Sequence, residues 1–473
     1  MGLLPIPIST AKSPDVWTDT LRRRLLPLLP VPCSGQYIDP NAAGGAARGS
    51  SALPCEAVAS KEGSPMSEVN LMADGSTRDD ANSKGRIAFI VLFSSIVSTL
   101  LLMAPAVAGQ LQLQMGLSPT QTGDLFAVEL GAMSLASLPA LYWIKKLNLR
   151  LASLVFALVF IFGNILSSLV GSYELLVSVR GITSLAGGSL MVLAMTLAAR
   201  TANRERVFGL WTAGQIAFGA IGLAVFPRFF DAFGVAVVYW TLAVLMVVAL
   251  PLLRFLPSNA LAPLAFSGGH ATKPNIGKTV LGLISCLVFY VGLSSVWTFL
   301  AGIAGSANID PQSLGVVLSI ATIVGVVGSI AATLVGGKVN RRFLLLGGHL
   351  GMLIAVSLLF GVQSVLQLAI AAVIFKFAWP WTLPFLLSTL ADLDRAGRAS
   401  NLSNLVIGGG FAIGPLIAGR LVESTGGYTA LTTMSVLALL LSLILILLAQ
   451  PSKSELALAP LEVETDHARH HGV

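Results

Sequence analysis

The chain has 473 residues, of which 55% are hydrophobic and 11% carry a charge. A soluble domain usually has about 25% charged residues, so this composition excludes an ordinary water-soluble protein, and a mean hydropathy of +0.83 indicates a lipid environment. The formal net charge is +7, but the basic residues occur in short clusters between apolar segments rather than in one patch. That distribution is typical of membrane loops and argues against a nucleic-acid partner.

No motif for a metal site, a cofactor or an enzyme is found. Cys33, Cys55 and Cys286 have neither metal-ligand spacing nor the pattern of a disulfide framework. There is no HExxH, Walker loop, DxDxDG or GxSxG sequence. The sequence therefore predicts no cofactor, no metal and no enzymatic activity.

The first segment, residues 1–84, is rich in Pro, Gly, Ala and Ser and lacks helical periodicity. It is predicted to be a disordered cytoplasmic N-terminal tail. The basic and apolar stretch 21–26 is too short, and too soon followed by Pro27 and Pro30, to be a signal peptide. Translation starting at Met66 or Met72 is a further hypothesis for this region.

From Arg86 onward, twelve apolar segments follow that approach or exceed the ~20 residues needed to cross a bilayer. We number them span 1 to span 12: Arg86–Gln110, Thr120–Ile144, Leu149–Val170, Glu174–Ala199, Val207–Phe226, Val235–Leu256, Gly277–Ala304, Ser313–Val335, Phe343–Phe360, Val365–Leu390, Leu402–Leu421 and Thr429–Ala449. The sequence predicts an N-terminal six-helix bundle at 85–256, a cytoplasmic linker at 257–276, a C-terminal six-helix bundle at 277–450 and a cytoplasmic tail at 451–473.

Positive charge is unequally divided between the two sets of loops. One set carries Lys145, Lys146, Arg150, Arg200, Arg204, Arg206, Arg254, Lys273, Lys278, Lys338, Arg341, Arg342, Arg395 and Arg398. The other set and its edges carry only Arg228 and Arg420. By the positive-inside rule the first set is cytoplasmic, which places both termini in the cytoplasm. We expect an integral protein of a bacterial inner membrane.

The two halves of the chain repeat each other at a constant offset of 192 residues. The segment 117–123 aligns with 309–315, since 123 + 192 = 315. Lys146, Asn148 and Arg150 align with Lys338, Asn340 and Arg342, and Arg228 aligns with Arg420. Six helices repeated in the same orientation are the parallel-repeat plan of secondary transporters.

Several local motifs give residues 85–450 a resemblance to the major facilitator superfamily. That family has G-x-x-x-D-R-x-G-R-R after its second span; here 336–342 keeps the small and basic positions, and 143–150 keeps the charges. Arg180, followed by Gly187 and Gly188, resembles the family motif of span 4. The resemblance implies an all-α integral membrane protein with twelve transmembrane helices in two parallel six-helix repeats. It also implies gating roles for Lys146, Arg150, Lys338, Arg341 and Arg342.

An ionisable side chain inside a span costs about 2.5–3.5 kcal/mol on insertion scales. Lys376 lies near the middle of span 10 and is interpreted either as a substrate or counter-ion contact or as a lysine paired within its bundle. Arg180 has a binding or gating interpretation, and it could also snorkel outward. Glu129 could couple transport to protons or form a structural ion pair with Arg180.

The resemblance implies that spans 1, 4, 7 and 10 line a central cavity. It thereby assigns the following candidate substrate contacts: Arg180, Lys376, Trp297, Trp379, Trp381 and Ser98.

The predicted function is secondary active transport of a small organic solute, with a proton as the coupling ion and an organic anion as the substrate. Binding partners would be the substrate, the proton and the bilayer, and the protein would be monomeric. Two alternatives remain open. One is an exporter of neutral or cationic compounds, and the other is a non-transporting membrane receptor on the same scaffold.

Overall fold

The structure, a computed structural model, describes residues 83–259, 276–393 and 398–450, which are helical and contain no strand. All of them belong to one compact unit, Pro65–Val473. The predicted tails at 1–84 and 451–473 and the predicted linker at 257–276 lie outside the described residues, except at their inner edges.

Each predicted span coincides with one helix or with an interrupted run of helices. In the N-terminal half the bounds are Lys84–Leu102 and Ala104–Met115 (span 1), Pro119–Leu135 and Ser137–Trp143 (span 2), Leu149–Leu169 (span 3), Tyr173–Ala198 (span 4), Arg204–Val225 with Phe226–Phe229 and Phe230–Phe233 (span 5), and Ala236–Ala249 with Leu250–Phe255 (span 6). In the C-terminal half they are Ile276–Ser306, Pro311–Val335, Arg341–Ser357, Val365–Leu393, Arg398–Thr425 and Thr429–Ala449 for spans 7 to 12.

Ten helices in the described part of the chain are long and apolar enough to cross a bilayer. The other two positions are span 2, which is interrupted at Ala136, and span 9, which has 17 residues. The expected fold of twelve membrane helices in two six-helix repeats is thus confirmed.

Helix caps explain the asparagines that follow spans 2 and 8. The Asn148 side chain accepts hydrogen bonds from the backbone N–H groups of Arg150 and Leu151, and the Asn340 side chain accepts one from Arg342. Each asparagine satisfies donors that the first helical turn leaves unpaired. The two halves therefore begin their third spans with the same cap, as their alignment predicts.

Asp310 caps span 8 in the same manner, because its carboxylate accepts a 2.8 Å hydrogen bond from Ser313 N. Hydrogen bonding from Ser313, first from its side chain and then from its backbone N–H, lowers the pKa of Asp310.

We call the end of the helices that carries Lys146, Arg150, Lys338, Arg341 and Arg342 the basic face, and the other end the opposite face. The bundles contact each other through spans 2 and 11 and through spans 5 and 8. Toward the opposite face, Gly123 lies against the backbone of Pro415, and Gly315 lies against that of Leu223. A Cβ at either glycine would collide with backbone atoms, so these glycines permit the close approach of the two bundles.

Candidate functional site

Lys376 is buried between indole rings without an opposite charge among the described residues. Its side chain is 4% exposed, and Nζ lies 3.6 Å from the ring centroid of Trp297 and 4.9 Å from that of Trp379. It forms no ion pair with any residue that the structure describes. A desolvated cation–π contact contributes ~2 kcal/mol. The rings thus offset part of the burial cost but leave the positive charge unneutralised.

Further rings from spans 7, 10 and 11 extend this wall. Phe375 stacks on Trp297 with centroids 6.1 Å apart, and Phe411 lies 5.8 Å from Trp379. The ring centroids of Tyr290 and Phe411 are 4.9 Å apart. We call Lys376, Trp297, Trp379, Phe375 and Phe411 the lysine cage. It is apolar apart from one cation and the edges of its indoles.

Trp297 also connects the two bundles. Its Nε1 donates a 2.9 Å hydrogen bond to the carbonyl oxygen of Leu101 in span 1. Pro105, four residues after Leu101, has no N–H and cannot supply the usual helical donor to this carbonyl. The indole of span 7 therefore partners an acceptor that the proline of span 1 exposes.

A second buried cation, Arg180, is paired with an acid in the N-terminal bundle. Its Nη2 lies 2.5 Å from Glu129 Oε1 and its Nη1 lies 3.0 Å from Asn164 Oδ1. The guanidinium carbon is 5.0 Å from the ring centroid of Tyr239. Within the described residues, Arg180 Nε has no hydrogen-bond partner. We call Glu129, Asn164, Arg180 and Tyr239 the arginine cluster. Of the two interpretations of Glu129 offered by the sequence, the structure contains the ion pair with Arg180.

The other two predicted contacts lie apart from the lysine cage. Ser98 accepts a 2.8 Å hydrogen bond from Gln215 Nε2, joining spans 1 and 5. Trp381 donates to Leu344 O at 3.0 Å and stacks on Phe377. Trp379 and Trp381 are two positions apart, so their side chains leave the helix about 200° apart. Trp381 therefore packs against span 9 rather than beside Lys376.

The basic loops predicted as gates make contacts within their own bundles. Arg341 forms a 2.5 Å ion pair with Asp392, and Arg342 Nε donates to Gln450 at 2.7 Å. Arg150 Nε donates to Leu256 O, and Lys146 lies 4.3 Å from the ring centroid of Tyr142. Lys338 is exposed. Asp392 supplies an acidic partner that the loop motif itself lacks.

Sequence reasoning missed a polar contact between the bundles at the opposite face. Glu423 Oε2 accepts hydrogen bonds from Ser118 Oγ at 2.7 Å and from Thr120 N at 2.9 Å. Arg420 Nη1 lies 2.7 Å from Asp124 Oδ1. We call these five residues the latch. The Glu423 carboxylate sits at the N-terminus of span 2, where the helix dipole favours negative charge.

Two parallel six-helix bundles with ionisable residues buried inside their spans define an integral membrane protein of the transporter class. The sequence matches the profile of the Major Facilitator Superfamily over residues 87–280 and 282–468, and the chain belongs to this family.

Known proteins resemble the chain at two levels. "Uncharacterized MFS-type transporter YbcL" of Bacillus subtilis (strain 168) is 23% identical over 390 residues, which cover 78% of this chain and 97% of that protein. Two crystal structures of the nucleoside transporter NupG, one of them of a point mutant, have TM-scores of 0.61 and 0.60. Each NupG structure is 12% identical to this chain in sequence. The superposition covers 98% of each NupG chain and, for the two structures respectively, 77% and 78% of this chain. At this identity the likeness to NupG establishes the fold.

Proposed function

We propose that the protein is a secondary active symporter that couples proton entry to the uptake of a small organic anion with an aromatic part. The observation that carries the proposal is the buried ammonium of Lys376, which faces Trp297 and Trp379 and has no acidic partner among the described residues. A bound anion would supply the missing negative charge.

The lysine cage suits an anion better than the alternatives. A carboxylate or sulfonate would form a charge-assisted hydrogen bond with Lys376, and an attached ring would pack on the indoles in tilted or offset geometry. A cationic substrate would be repelled by the same ammonium. A neutral aromatic solute, such as a nucleoside, would leave the charge unpaired.

Glu129 is proposed as the proton-coupling residue. Its carboxylate is buried and neutralises Arg180 at 2.5 Å. Protonation would neutralise Glu129 and leave Arg180 as an unpaired buried charge. Loss of one partner of a buried ion pair destabilises a structure by about 3–5 kcal/mol. This change would shift the contact between spans 2 and 4 and give protons a means of changing the balance between conformations.

The proposed setting follows the same reasoning. The basic face would be cytoplasmic by the positive-inside rule, which places both termini in the cytoplasm of a bacterial cell. A monomer with no cofactor would suffice, because both the lysine cage and the arginine cluster are built from one chain.

Uptake into proteoliposomes tests the proposal. Labelled benzoate, glucose, uridine and tetraethylammonium would be offered with and without an inside-alkaline pH gradient. We expect gradient-dependent accumulation of benzoate, loss of that accumulation in Lys376→Met, and loss of its pH dependence in Glu129→Gln. Lys84→Met, which removes an exposed lysine at the start of span 1, is the matched control and should transport normally.

Other outcomes would replace the proposal. Uptake of uridine that survives Lys376→Met would favour a nucleoside-like substrate, and uptake of tetraethylammonium would favour a cation carrier. Benzoate uptake that keeps its pH dependence in Glu129→Gln would remove the proton-coupling role of Glu129. Absence of flux for every compound would favour the receptor alternative.

A further inference from the structure

A cavity of about 380 Å³ opens inside the N-terminal bundle near the opposite face. Spans 1, 3, 4 and 6 surround it, and its polar wall consists of Gln114, Ser167, Ser168 and Tyr239. Every lining residue belongs to the N-terminal bundle. The cavity is therefore separate from the contact surface between the two bundles.

Tyr239, a member of the arginine cluster, also lines this cavity. Its side chain lines the cavity, while its ring lies 5.0 Å from the guanidinium carbon of Arg180. No hydrogen bond joins its hydroxyl to another described residue. Asn164, which binds Arg180, is one helical turn from the cavity wall at Ser167 and Ser168. Tyr239 thus borders both the polar cavity and the buried ion pair.

The guanidinium of Arg180, which lies against the Tyr239 ring, has one unused donor among the described residues. Arg180 is 1% exposed, and its Nε–H has no partner within the described part of the chain. A buried donor of this kind is usually satisfied by water. The arginine cluster is therefore chemically suited to take up water from the adjoining cavity.

We propose that this cavity is the entry route for the protons that reach Glu129, with Tyr239 as its lid. The inference rests on the proposed proton coupling. A hydronium ion in the cavity transfers its proton to the Glu129 carboxylate, leaving water and a neutral carboxylic acid, and no other reactant is needed. The route does not require the bundles to separate at the opposite face, where the latch holds them together.

The titratable groups that face Glu129 are few. Span 4 contributes Arg180 and span 6 contributes Tyr239, and these three groups interact electrostatically. On span 2 itself the next acid is Asp124, which is paired with Arg420 of span 11. Among the described residues, spans 1 and 3 add only uncharged polar groups near the cluster, chiefly Asn164.

The test blocks the cavity in a protein that is already folded. Ser168→Cys places a thiol in the cavity wall, and a methanethiosulfonate reagent then fills the space reversibly. Stopped-flow infrared spectroscopy after a drop in pH would follow protonation of Glu129, identified by the carboxylic-acid band that disappears in Glu129→Gln. We expect modification to slow the appearance of this band by about tenfold, equivalent to an increase of ~1.4 kcal/mol in the activation barrier for protonation. Reductant, which removes the modifying group, should restore the rate.

Ser306→Cys is the matched control. Ser306 lines a different cavity of about 490 Å³, which lies at the same face between the bundles and includes Ala106 and Gly305. Its modification should leave the rate unchanged, as should treatment of the unmodified protein, whose described cysteine Cys286 is buried.

A second pair of variants does not depend on thiol chemistry. A Cβ at Gly171, in the cavity of the N-terminal bundle, or at Gly305 would meet no atom within 4 Å, so a side chain can begin at either position without a clash at its Cβ. Gly171→Trp should slow protonation of Glu129, and Gly305→Trp should not. An unchanged rate in both Gly171→Trp and modified Ser168→Cys would overturn the route. Absence of a Glu129 band at any pH would instead overturn the proton coupling on which the route rests.

Discussion

Lys376 and Arg180 are both cations buried in membrane helices, yet their electrostatic surroundings are opposite. Arg180 has a carboxylate at 2.5 Å and an amide oxygen at 3.0 Å. Lys376 has aromatic faces and no described carboxylate. Removing the two charges should therefore change the stability of the protein in opposite directions.

Methionine substitutions test this difference. Lys376→Met removes an insertion cost of ~3 kcal/mol and a cation–π contribution of ~2 kcal/mol, so it should stabilise the protein by about 1 kcal/mol while abolishing anion uptake. Arg180→Met leaves Glu129 buried without its partner and should destabilise the protein by about 3–5 kcal/mol. Thermal unfolding in detergent would measure both changes. Strong destabilisation by Lys376→Met would indicate a counter-charge outside the described residues.

Residue positions were predictable from depth, but contacts were not. The sequence placed Lys376, Trp297 and Trp379 on helices expected to line one cavity, and the structure brings all three together. It assigned both Trp379 and Trp381 to the cavity, although helical periodicity puts Trp379 on the same face as Lys376 and Trp381 about 200° away from Trp379. Asn164 and Tyr239 were not recognised as partners of Arg180, because uncharged side chains give no sequence signal of their pairing.

Prolines shape spans 1 and 10, both of which contact Trp297 of the lysine cage. Span 1 is interrupted at Met103, beside Pro105, and span 10 contains Pro380 and Pro384. Pro380 cannot donate to the carbonyl of Lys376, just as Pro105 cannot donate to that of Leu101. Both helices thus have weakened backbone hydrogen bonding at the depth of the proposed site, where a transporter needs to bend.

Trp297→Phe would isolate the hydrogen bond between Trp297 and Leu101. Phenylalanine keeps an aromatic face for Lys376 but has no N–H, so the variant should lose about 0.5–1.5 kcal/mol of stability. In Pro105→Ala, residue 105 regains an N–H for Leu101, and the same Trp297→Phe change should then cost less. A double-mutant cycle of unfolding free energies would measure this coupling. Additive effects would show that Trp297 does not depend on the proline.

Helix positions followed closely from apolar length, whereas interruptions did not. Spans 3, 4 and 12 begin and end within one residue of their predicted bounds. The break of span 2 at Ala136 was not predicted, although Pro139 follows it and cannot donate a hydrogen bond to the carbonyl of Leu135. Span 9 is shorter than predicted, since the helix ends at Ser357 rather than Phe360.

At the scale of the whole molecule, the latch and the glycine contacts join the bundles at the opposite face. Glu423 crosses from span 11 to the N-terminus of span 2, and Arg420 crosses to Asp124. These contacts join residues about 300 positions apart. No local pattern could have revealed them, because the repeat predicted two bundles but not the contacts between them.

Weakening the latch should open this face. Glu423→Gln removes a charge-assisted hydrogen-bond acceptor, a contribution of about 1.5–3 kcal/mol. The variant should therefore raise, roughly tenfold or more, the rate at which an impermeant maleimide labels Leu223→Cys, a buried position against Gly315. Asp310→Asn is the control, because Asp310 caps span 8 within one bundle and asparagine also caps well. Equal labelling in the Glu423→Gln protein and its parent would show that the glycine contacts alone keep the face closed.

The offset of 192 residues also shows how far the two halves have diverged. Lys376 aligns with Ser184 (376 − 192 = 184), while Glu129 and Arg180 align with Ala321 (129 + 192 = 321) and Ala372 (180 + 192 = 372). Each half thus has a neutral residue wherever the other has its buried charge. If a gene duplication produced the repeat, the ancestral homodimer would have displayed its ionisable residues twice. In this chain the buried charges are divided between the copies, with the Glu129–Arg180 pair in the first and Lys376 in the second.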